Sequence, residues 1–504
     1  MRREKPGSNG LGQYHKFREG VQHEMKRRLY APTALLMGLL SAQLVATVHV
    51  YLSNLDLLRA TEAVMRNGYL AIPNARVAER LDWLSTAMAG GLLFTLSAGA
   101  GLSLATLVGV WLWDRAFRRR RRVVLFFVLV WSAALMLINQ NGWNPMASAY
   151  LVVVPLVAAG AAIRLLPART TLVSPVSVCW PVSAALVLAL SWGLVLDRNL
   201  FTTIRDHLLL ESHAGRSIVE AYYAYTLFPA EAFKSLEQKQ IRTCVIDGGL
   251  DRSARERIEL VVRRHDYLPM PNGYPADLII AGGIPTSHLS LENRHRPVLH
   301  RTERELIGHP GKVLADYSRA LDRNRMFRSL TLVGLLLGFP LVLFVFGFSL
   351  LALLPDLFLT TAVSDRVTAA LCVIAGVVLL VPVYRGHTAT IAPGDLSISL
   401  SSPSTTVRVA ALRKACNERL DVSADAQKNR LAESPHIVER YWLARSLACA
   451  APSQTHAMLS NLVDDPVPIV ACQARWALGQ GKDRTMIPKI IDRIDDTPHW
   501  YVQM

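Results

Sequence analysis

The sequence predicts a mainly α-helical fold: a polytopic membrane protein with about seven spans, a small α/β insert and a C-terminal α-solenoid of helix pairs. Hydrophobic residues make up 51% of the 504 residues, and the mean hydropathy of +0.25 is high for a soluble chain of this length. Several apolar runs have about 20 residues, and such a run forms a helix of roughly 30 Å, enough to cross a bilayer core. Near the end of the chain, four prolines spaced 31 or 32 residues apart indicate a repeat.

A basic segment, residues 1–30, precedes five predicted spans within 31–198, and two more spans are predicted within 328–384. Residues 1–30 hold eight Lys/Arg against three acids, and "DRAFRRRRR" at 114–122 holds six arginines against one acid. Basic clusters flank spans on the cytoplasmic side, so both clusters are predicted to be cytoplasmic. The predicted spans are 31–53, 85–113, 123–139, 147–166, 177–196, 329–354 and 367–384.

The location of the positive charge argues against nucleic-acid binding. The formal net charge is +16, and the two basic clusters beside the spans each contribute five of these charges. The polar segments 199–327 and 385–504 each contribute two. Because no separate basic domain with interleaved aromatic residues is present, the sequence predicts contact with the lipid bilayer and no nucleic-acid partner.

The polar insert, residues 199–327, is predicted to begin with amphipathic helices and to continue as a small α/β module. In "NLFTTIRDHLLLES" and "SIVEAYYAYTLFPAEAFKSL", apolar residues recur three and four apart. "RTCVIDGG" and "ADLIIAGG" are typical of buried strands that end in glycine, and each is followed by a predicted helix, "LDRSARERIELVVRRHDY" and "GKVLADYSRALDRNR". Strand, helix, strand, helix favours an α/β arrangement.

After a linker at 385–401, residues 402–504 show the repeat. Each proline follows a Ser, Asp or Thr, which predicts an N-cap residue and then a proline in the first helical turn. Small and aliphatic residues lie eight and twelve positions after each of the first three prolines, on one predicted helix face. The prolines are Pro403, Pro435, Pro466 and Pro498, and the face consists of Ala411, Ala415, Leu443, Leu447, Ala474 and Leu478.

Residues 402–504 resemble HEAT repeats of the short bacterial type named from phycobilisome lyases. The resemblance implies stacked helix pairs with an extended surface that binds another protein. It implies no lyase activity, because the matching positions are packing residues. The second unit departs from the pattern at Glu439, where the others have Val407 and Val470. A fourth unit starts at Pro498. In one prediction, a partner or further chain covers the apolar end of the array. In the alternative, these residues form a single capping turn.

The candidate catalytic residues are His207, Glu211 and His213, in "RDHLLLESHAGR". A continuous helix would place His207 and Glu211 on one face, a spacing suited to a metal ion or to proton transfer. The sequence favours the alternative of a hydrated amphipathic helix beside the membrane.

No cofactor or metal site is predicted elsewhere. The six cysteines include no CxxC pair, and "VIDGGL" and "IIAGGI" do not match the dinucleotide pattern GxGxxG. Four further histidines lie in a region that is predicted to be a loop without ligand spacing: His288, His295, His300 and His309.

These patterns predict a non-enzymatic scaffold or accessory subunit of a bacterial inner membrane, which binds a partner protein through the HEAT-like array and the α/β module. Two spans separate 199–327 from the C-terminal domain, so both are predicted on one face, extracytoplasmic if the N-terminus is cytoplasmic. The alternative is a membrane enzyme or transporter component with a site between the spans and residues 199–240.

Overall fold

The computed structural model is mainly helical with one small sheet. It describes residues 9–166, 175–226, 231–282, 288–389, 391, 394–448, 452–481, 484–497 and 499–503, with the backbone alone for 9–27, 175–178, 225–226, 452–454, 489, 493 and 495–496. The first seven helices are α1 (Asn9–Arg66), α2 (Ala75–Ala78), α3 (Leu84–Phe94), α4 (Ala100–Arg115), α5 (Arg121–Ile138), α6 (Pro145–Leu165) and α7 (Pro175–Gly193). A π-helical turn, Thr95–Gly99, joins α3 to α4.

In the described part of the polar insert, five α-helices and five strands occur. The helices are α8 (Leu200–Ile204), α9 (His213–Ala221), α10 (Arg252–Arg264), α11 (Glu303–Gly308) and α12 (Pro310–Leu321). The strands are β1 (Arg242–Ile246), β2 (Tyr267–Pro269), β3 (Leu278–Gly282), β4 (His288–Asn293) and β5 (Arg296–Thr302).

The remaining helices follow the insert. They are α13 (Arg325–Val333), α14 (Phe339–Ala352), α15 (Thr361–Thr388), α16 (Leu396–Leu400), α17 (Thr405–Glu418), α18 (Ser423–Lys428), α19 (Ile437–Leu447), α20 (Pro452–Leu462), α21 (Pro468–Gln480), α22 (Ile487–Asp496) and α23 (Trp500–Gln503). A π-helical turn, Gly334–Gly338, joins α13 to α14. The predicted linker 385–401 is therefore too long, since α15 continues to Thr388 and α16 lies inside it.

Among the described residues, six helical stretches are long and apolar enough to cross a membrane: Arg28–Arg66, Leu84–Arg115, Arg121–Ile138, Pro145–Leu165, Arg325–Leu357 and Thr361–Thr388. The predicted span 177–196 is not among them, because the described apolar helix there, Cys179–Gly193, is shorter. The predicted span 31–53 is part of a much longer helix. Its continuation beyond 53 buries Leu57 and Val64, so packing rather than hydropathy extends it.

The chain divides into two compact units. The first contains Met1–Ala46, Leu92–Leu190 and Arg323–Gly376, and the second contains Thr47–Gly91, Ser191–Asp322 and Val377–Met504. In the first unit, Arg28 donates through Nε to Asp356 Oδ2 at 2.9 Å and lies 2.6 Å from Asp365 Oδ1 through Nη1. This mostly buried ion pair connects α1 to the loop before α15 and to α15 itself.

In the first unit, glycines allow the Gly334–Gly338 turn to pack at backbone distance against the Thr95–Gly99 turn and α4. A Cβ atom added to Gly334 would lie 2.2 Å from the Ser97 carbonyl oxygen, and one added to Gly338 would lie 2.8 Å from Gly101 Cα. Gly334 and Gly338 are four residues apart, the small-residue spacing that brings membrane helices close together. The sequence "GLLLG" therefore forms a helix contact.

In the second unit, the strand order is β2-β1-β3-β4-β5, with β1 parallel to β2 and β3 and the remaining pairs antiparallel. The structure confirms the predicted strands in "RTCVIDGG" and "ADLIIAGG" and places them side by side. It also contains a hairpin of β4 and β5 where a loop was predicted. Arg294 and His295 both have positive φ at its turn, as tight hairpin turns require.

The β1 and β3 side chains alternate between two cores. Cys244, Ile246 and Ile280 pack with residues of α10, α11 and α12, while Val245 and Ile279 face a core that also contains Leu57, Val77 and Trp500. Both faces of these strands are thus buried, which explains their nearly continuous apolar sequence.

The C-terminal helices pack in order. Helix α17 contacts α19, α19 contacts α21, and each is followed by a second helix, α18, α20 or α22. The predicted face is buried: Ala411, Ala415, Leu443, Leu447, Ala474 and Leu478 belong to one core. The predicted N-cap positions were wrong: the prolines lie directly before the N-cap residues, not after them, and those N-caps are Ser404, His436 and Val467. Pro498 lies outside the described residues.

Helix α23 is buried. Trp500 is fully buried, and the Gln503 side chain accepts from the Asn74 backbone N–H at 3.0 Å and donates to the Asn74 carbonyl at 2.9 Å. The predicted uncovered edge is therefore absent at these residues, because the segment around α2 covers them. Tyr501 also packs on Tyr223, with ring centroids 4.7 Å apart.

Candidate functional site

A π-helical turn, Arg205–Leu209, directly continues α8 and carries the most buried charged group of the polar insert. The Asp206 side chain is fully buried, and Arg205 and His207 flank it in the chain. A buried carboxylate is stable only when it is paired and hydrogen-bonded, so its partners identify what this turn does.

Asp206 has two donors. Arg205 donates through Nε to Asp206 Oδ1 at 2.8 Å, and Trp442 of α19 donates through Nε1 to Asp206 Oδ2 at 2.7 Å. Hydrogen bonds to an ionised acceptor are stronger than neutral ones. The Oδ2 atom therefore joins the insert to α19, while Oδ1 pairs with the neighbouring Arg205.

The Arg205 guanidinium lies between aromatic residues. It stacks over the Tyr441 ring, 4.1 Å from the centroid, and donates to the Tyr223 hydroxyl at 3.1 Å. Burial lowers the pKa of Arg205, but the Asp206 carboxylate and the two tyrosines outweigh it and raise the pKa above its ordinary value. Arg205 therefore remains charged, and the cluster forms a rigid ionic and aromatic contact.

His207 is mostly buried and packs against α15, since a Cβ atom added to Gly386 would lie 2.0 Å from His207 Cδ2. Burial lowers the pKa of His207, and Arg413 lowers it further, against the opposing effect of Asp206. The imidazole is consequently neutral at pH 7 and acts as a packing group.

The three candidate catalytic residues do not meet. The helical path breaks after Leu209, and Ser212 caps α9 by accepting from the Gly215 N–H at 3.0 Å. Glu211 and His213 lie exposed at this break. The predicted shared face required one continuous helix, and the capping serine starts a new one.

No group of three His, Cys, Asp or Glu side chains suited to a metal ion occurs in the described part of the chain. His288 and His300 lie on β4 and β5, His295 lies at the turn, and His309 precedes α12. These histidines are therefore distributed along a hairpin and do not converge.

The C-terminal helices share a repeated turn. The Ser402, Ser434 and Asp465 side chains each accept from the backbone N–H two residues later, at 3.2, 3.1 and 2.9 Å. Each of these residues precedes one of the repeating prolines. Side chains of this type close a turn in this way, and the following helix then begins at a fixed distance.

Two arginines each connect one of these turns to the following unit. Arg408 donates to the Ser402 carbonyl and through Nε to Glu439 Oε1 at 2.9 Å. Arg440 donates to the Ser434 carbonyl at 2.5 Å and through Nε to Asp465 Oδ2 at 2.7 Å. Glu439, the residue that departs from the aliphatic pattern, is thus the acceptor for the preceding unit.

No family model, curated protein or solved structure matches this chain significantly.

Sequence reasoning identified His207 and the segment that contains Asp206, but it missed the partners Tyr223, Tyr441 and Trp442. The available signals were an adjacent Arg-Asp pair within an apolar helix and a Tyr-Trp pair on the buried face of a later helix. Neither signal specifies its partner, because 236 residues separate Asp206 from Trp442.

Proposed function

We propose that the chain is an integral membrane scaffold or accessory subunit that binds a partner protein through a HEAT-like array, α17–α22. The observation that carries the proposal is the turn repeated at Ser402, Ser434 and Asp465, with Arg408 and Arg440 each bonded to the following unit. Equivalent contacts between successive helix pairs are characteristic of solenoids, whose extended surfaces bind other proteins.

The contacts of Asp206 support a common membrane face for the α/β module and the array. Trp442 donates to Asp206, so residues before the fifth apolar stretch and residues after the sixth share one buried cluster. The proposed topology, with two crossings between these segments, accounts for this contact. The module and the array then present one surface to the partner.

Exposed apolar residues on α22 support a contact there. Ile487 and Ile491 are one turn apart and are 49% and 45% exposed. Nearby in the array, Trp476 of α21 is also exposed, and the Arg445 guanidinium lies 6.0 Å from its ring centroid. Tryptophan and arginine are frequent among the residues that dominate binding energy at protein interfaces.

Affinity purification from the native membrane tests this proposal. We expect at least one protein to co-purify in stoichiometric amount with the intact chain and to be lost with the double variant Ile487→Asp/Ile491→Asp. The matched control is Leu70→Asp, because Leu70 is similarly exposed but lies outside the α/β module and the array. Recovery of the same proteins with all three chains would contradict the proposal.

A further inference from the structure

The first unit contains a groove of about 640 Å³ between α4, α5, α13 and the Gly334–Gly338 turn. This volume lies within the range of small-molecule sites, roughly 300–1,000 Å³. Its lining is almost entirely apolar; Ser329 supplies the one lining hydroxyl, and the Trp131 Nε1 donates to the Leu151 carbonyl at 2.6 Å. The groove therefore offers little to a polar ligand along its length.

Each long wall is one face of a helix that can span the membrane. Trp131, Ala134 and Ile138 recur at helical spacing along α5, and Met326, Leu330 and Val333 do so along α13. Most of α5 is exposed within the protein, since only 6% of its apolar stretch is buried. In a bilayer, such a groove is open to hydrocarbon chains rather than to water.

One end of the groove is basic. The end is defined by the last residue of α5, Ile138, and by Met326 at the start of α13. Arg325 lies one helical turn before Ser329. It is therefore on the face of α13 that lines the groove. Residues 322–328 hold three arginines and one acid.

Arg323 and Arg325 are exposed, and neither guanidinium forms an ion pair within the described part of the chain. The Arg323 side chain lies over the loop between α5 and α6, because a Cβ atom added to Gly142 would be 3.0 Å from Arg323 Nε. Two unneutralised guanidinium groups at the end of an apolar groove complement an anion that carries a hydrocarbon chain.

We propose that this groove binds an anionic glycerophospholipid, with one acyl chain between α5 and α13 and the phosphate at Arg325 and Arg323. The hydrocarbon chain accounts for the apolar walls, and the phosphate accounts for the two arginines. A helix from a second copy of the chain would satisfy the walls but not these charges.

Native mass spectrometry of the full-length protein in detergent tests the site. The probes are phosphatidylglycerol, phosphatidylcholine with the same acyl chains, and inorganic phosphate. We expect one phosphatidylglycerol molecule per chain, weaker binding of phosphatidylcholine and no binding of phosphate alone. Equal binding of the two lipids, or binding of phosphate alone, would overturn the proposal.

Two variants separate the headgroup from the chain. Arg323→Ala/Arg325→Ala should weaken phosphatidylglycerol binding about thirtyfold and leave phosphatidylcholine unchanged, as expected for the loss of two charge contacts. Ala134→Trp should fill the groove and weaken binding of both lipids. Unchanged binding in either variant would contradict the assignment.

The controls keep these results interpretable. Arg122→Ala removes an exposed arginine at the other end of α5, and Leu129→Trp places the same indole on an exposed face of α5. Both should bind lipid like the intact chain, and thermal unfolding in detergent verifies that every variant is folded. Loss of a dimer in Ala134→Trp, without loss of bound lipid, would assign the groove to a second copy and overturn the proposal.

Discussion

At the scale of residues, the buried charged groups of the second unit act as connectors. Asp206 joins Arg205 to Trp442, and Glu439 joins Arg408 to Ser434, whose hydroxyl donates to the carboxylate at 2.6 Å. Breaking a buried pair by removing one partner commonly costs about 3–5 kcal/mol, because the other charge is left without compensation. These residues therefore specify which surfaces meet, and single substitutions should reveal the dependence.

The contact between His207 and Gly386 predicts a rescue. Gly386→Ala should lower the free energy of unfolding by about 1–3 kcal/mol, because the added methyl group overlaps the buried imidazole. His207→Ala removes the obstacle, so the double variant should be more stable than the sum of the single effects predicts. Thermal or urea unfolding of the four proteins measures the coupling. Strict additivity would show that the two side chains do not compete for space.

The buried histidines predict acid sensitivity. Burial lowers the folded-state pKa of His207 and of His499 below the ordinary value of 6.5. Their contribution to stability is therefore complete above pH 6.5 and is lost as the pH falls towards the folded-state pKa, because the unfolded chain takes up protons first. The midpoint temperature of unfolding should decrease when the pH is lowered from 8 to 5.5. The His207→Gln variant should show a smaller decrease. An identical pH profile for the variant would contradict the assignment.

At the scale of elements, the glycines of the first unit determine how closely α4 can pack. Gly338→Val should lower the unfolding midpoint in detergent by an amount corresponding to at least about 1–3 kcal/mol, since its side chain meets the Gly101 backbone. Gly347→Val on α14 is the control, because no atom outside its own helix lies within 4 Å of the added Cβ. Equal effects of the two substitutions would argue against a close helix contact.

The C-terminal helices depend on the arginines that connect successive units. Arg440→Ala should lower the free energy of unfolding by about 3–5 kcal/mol, because Asp465 would remain buried without its partner. Arg430→Ala removes an arginine that is paired with Glu433 in an exposed position, and it should change stability by less than about 1 kcal/mol. Denaturant unfolding followed by tryptophan fluorescence distinguishes the two. Similar losses would mean that the connection contributes little.

Much of the element structure could be predicted from local patterns. The apolar runs predict the long apolar helices, because about 20 consecutive apolar residues form a helix long enough to cross a membrane. The glycine-terminated runs predict β1 and β3 because both faces of these strands are buried. The loop predicted around His288, His295 and His300 was wrong, since β5 has no fully buried residue and its pairing with β4 depends on a tight turn.

The candidate site was less accessible to prediction because its contacts are distant in sequence. Helical spacing drew attention to the segment around His207, but it could not anticipate that Ser212 caps a new helix and that Glu211 is exposed. The partners of Asp206 come from helices that only tertiary packing brings together. Sequence patterns report the period of an element, whereas a site depends on which elements meet.

At the scale of the whole molecule, the shared cluster of Asp206 and Trp442 predicts the topology. Reporter fusions after Asn272 and after Gly481 should report the same compartment, whereas a fusion after Arg120 should report the cytoplasm. The physical reason is that residues 206 and 442 cannot be in contact across a bilayer. Alkaline phosphatase and green fluorescent protein fusions measure the two sides independently. Opposite compartments for Asn272 and Gly481 would contradict the proposed common face.

The burial of α23 has a consequence for biosynthesis. Gln503 bonds to Asn74, 429 residues earlier, and Trp500 completes a core that includes Leu57 and Val77. Ribosomes add roughly 5–20 residues per second, so this early segment is translated about 20–90 s before its last packing partner emerges. During that interval its apolar side chains remain accessible to chaperones and membrane proteases. The core can therefore close only after residues 500–503 have been translated, and quality control can act on the nascent chain before it closes.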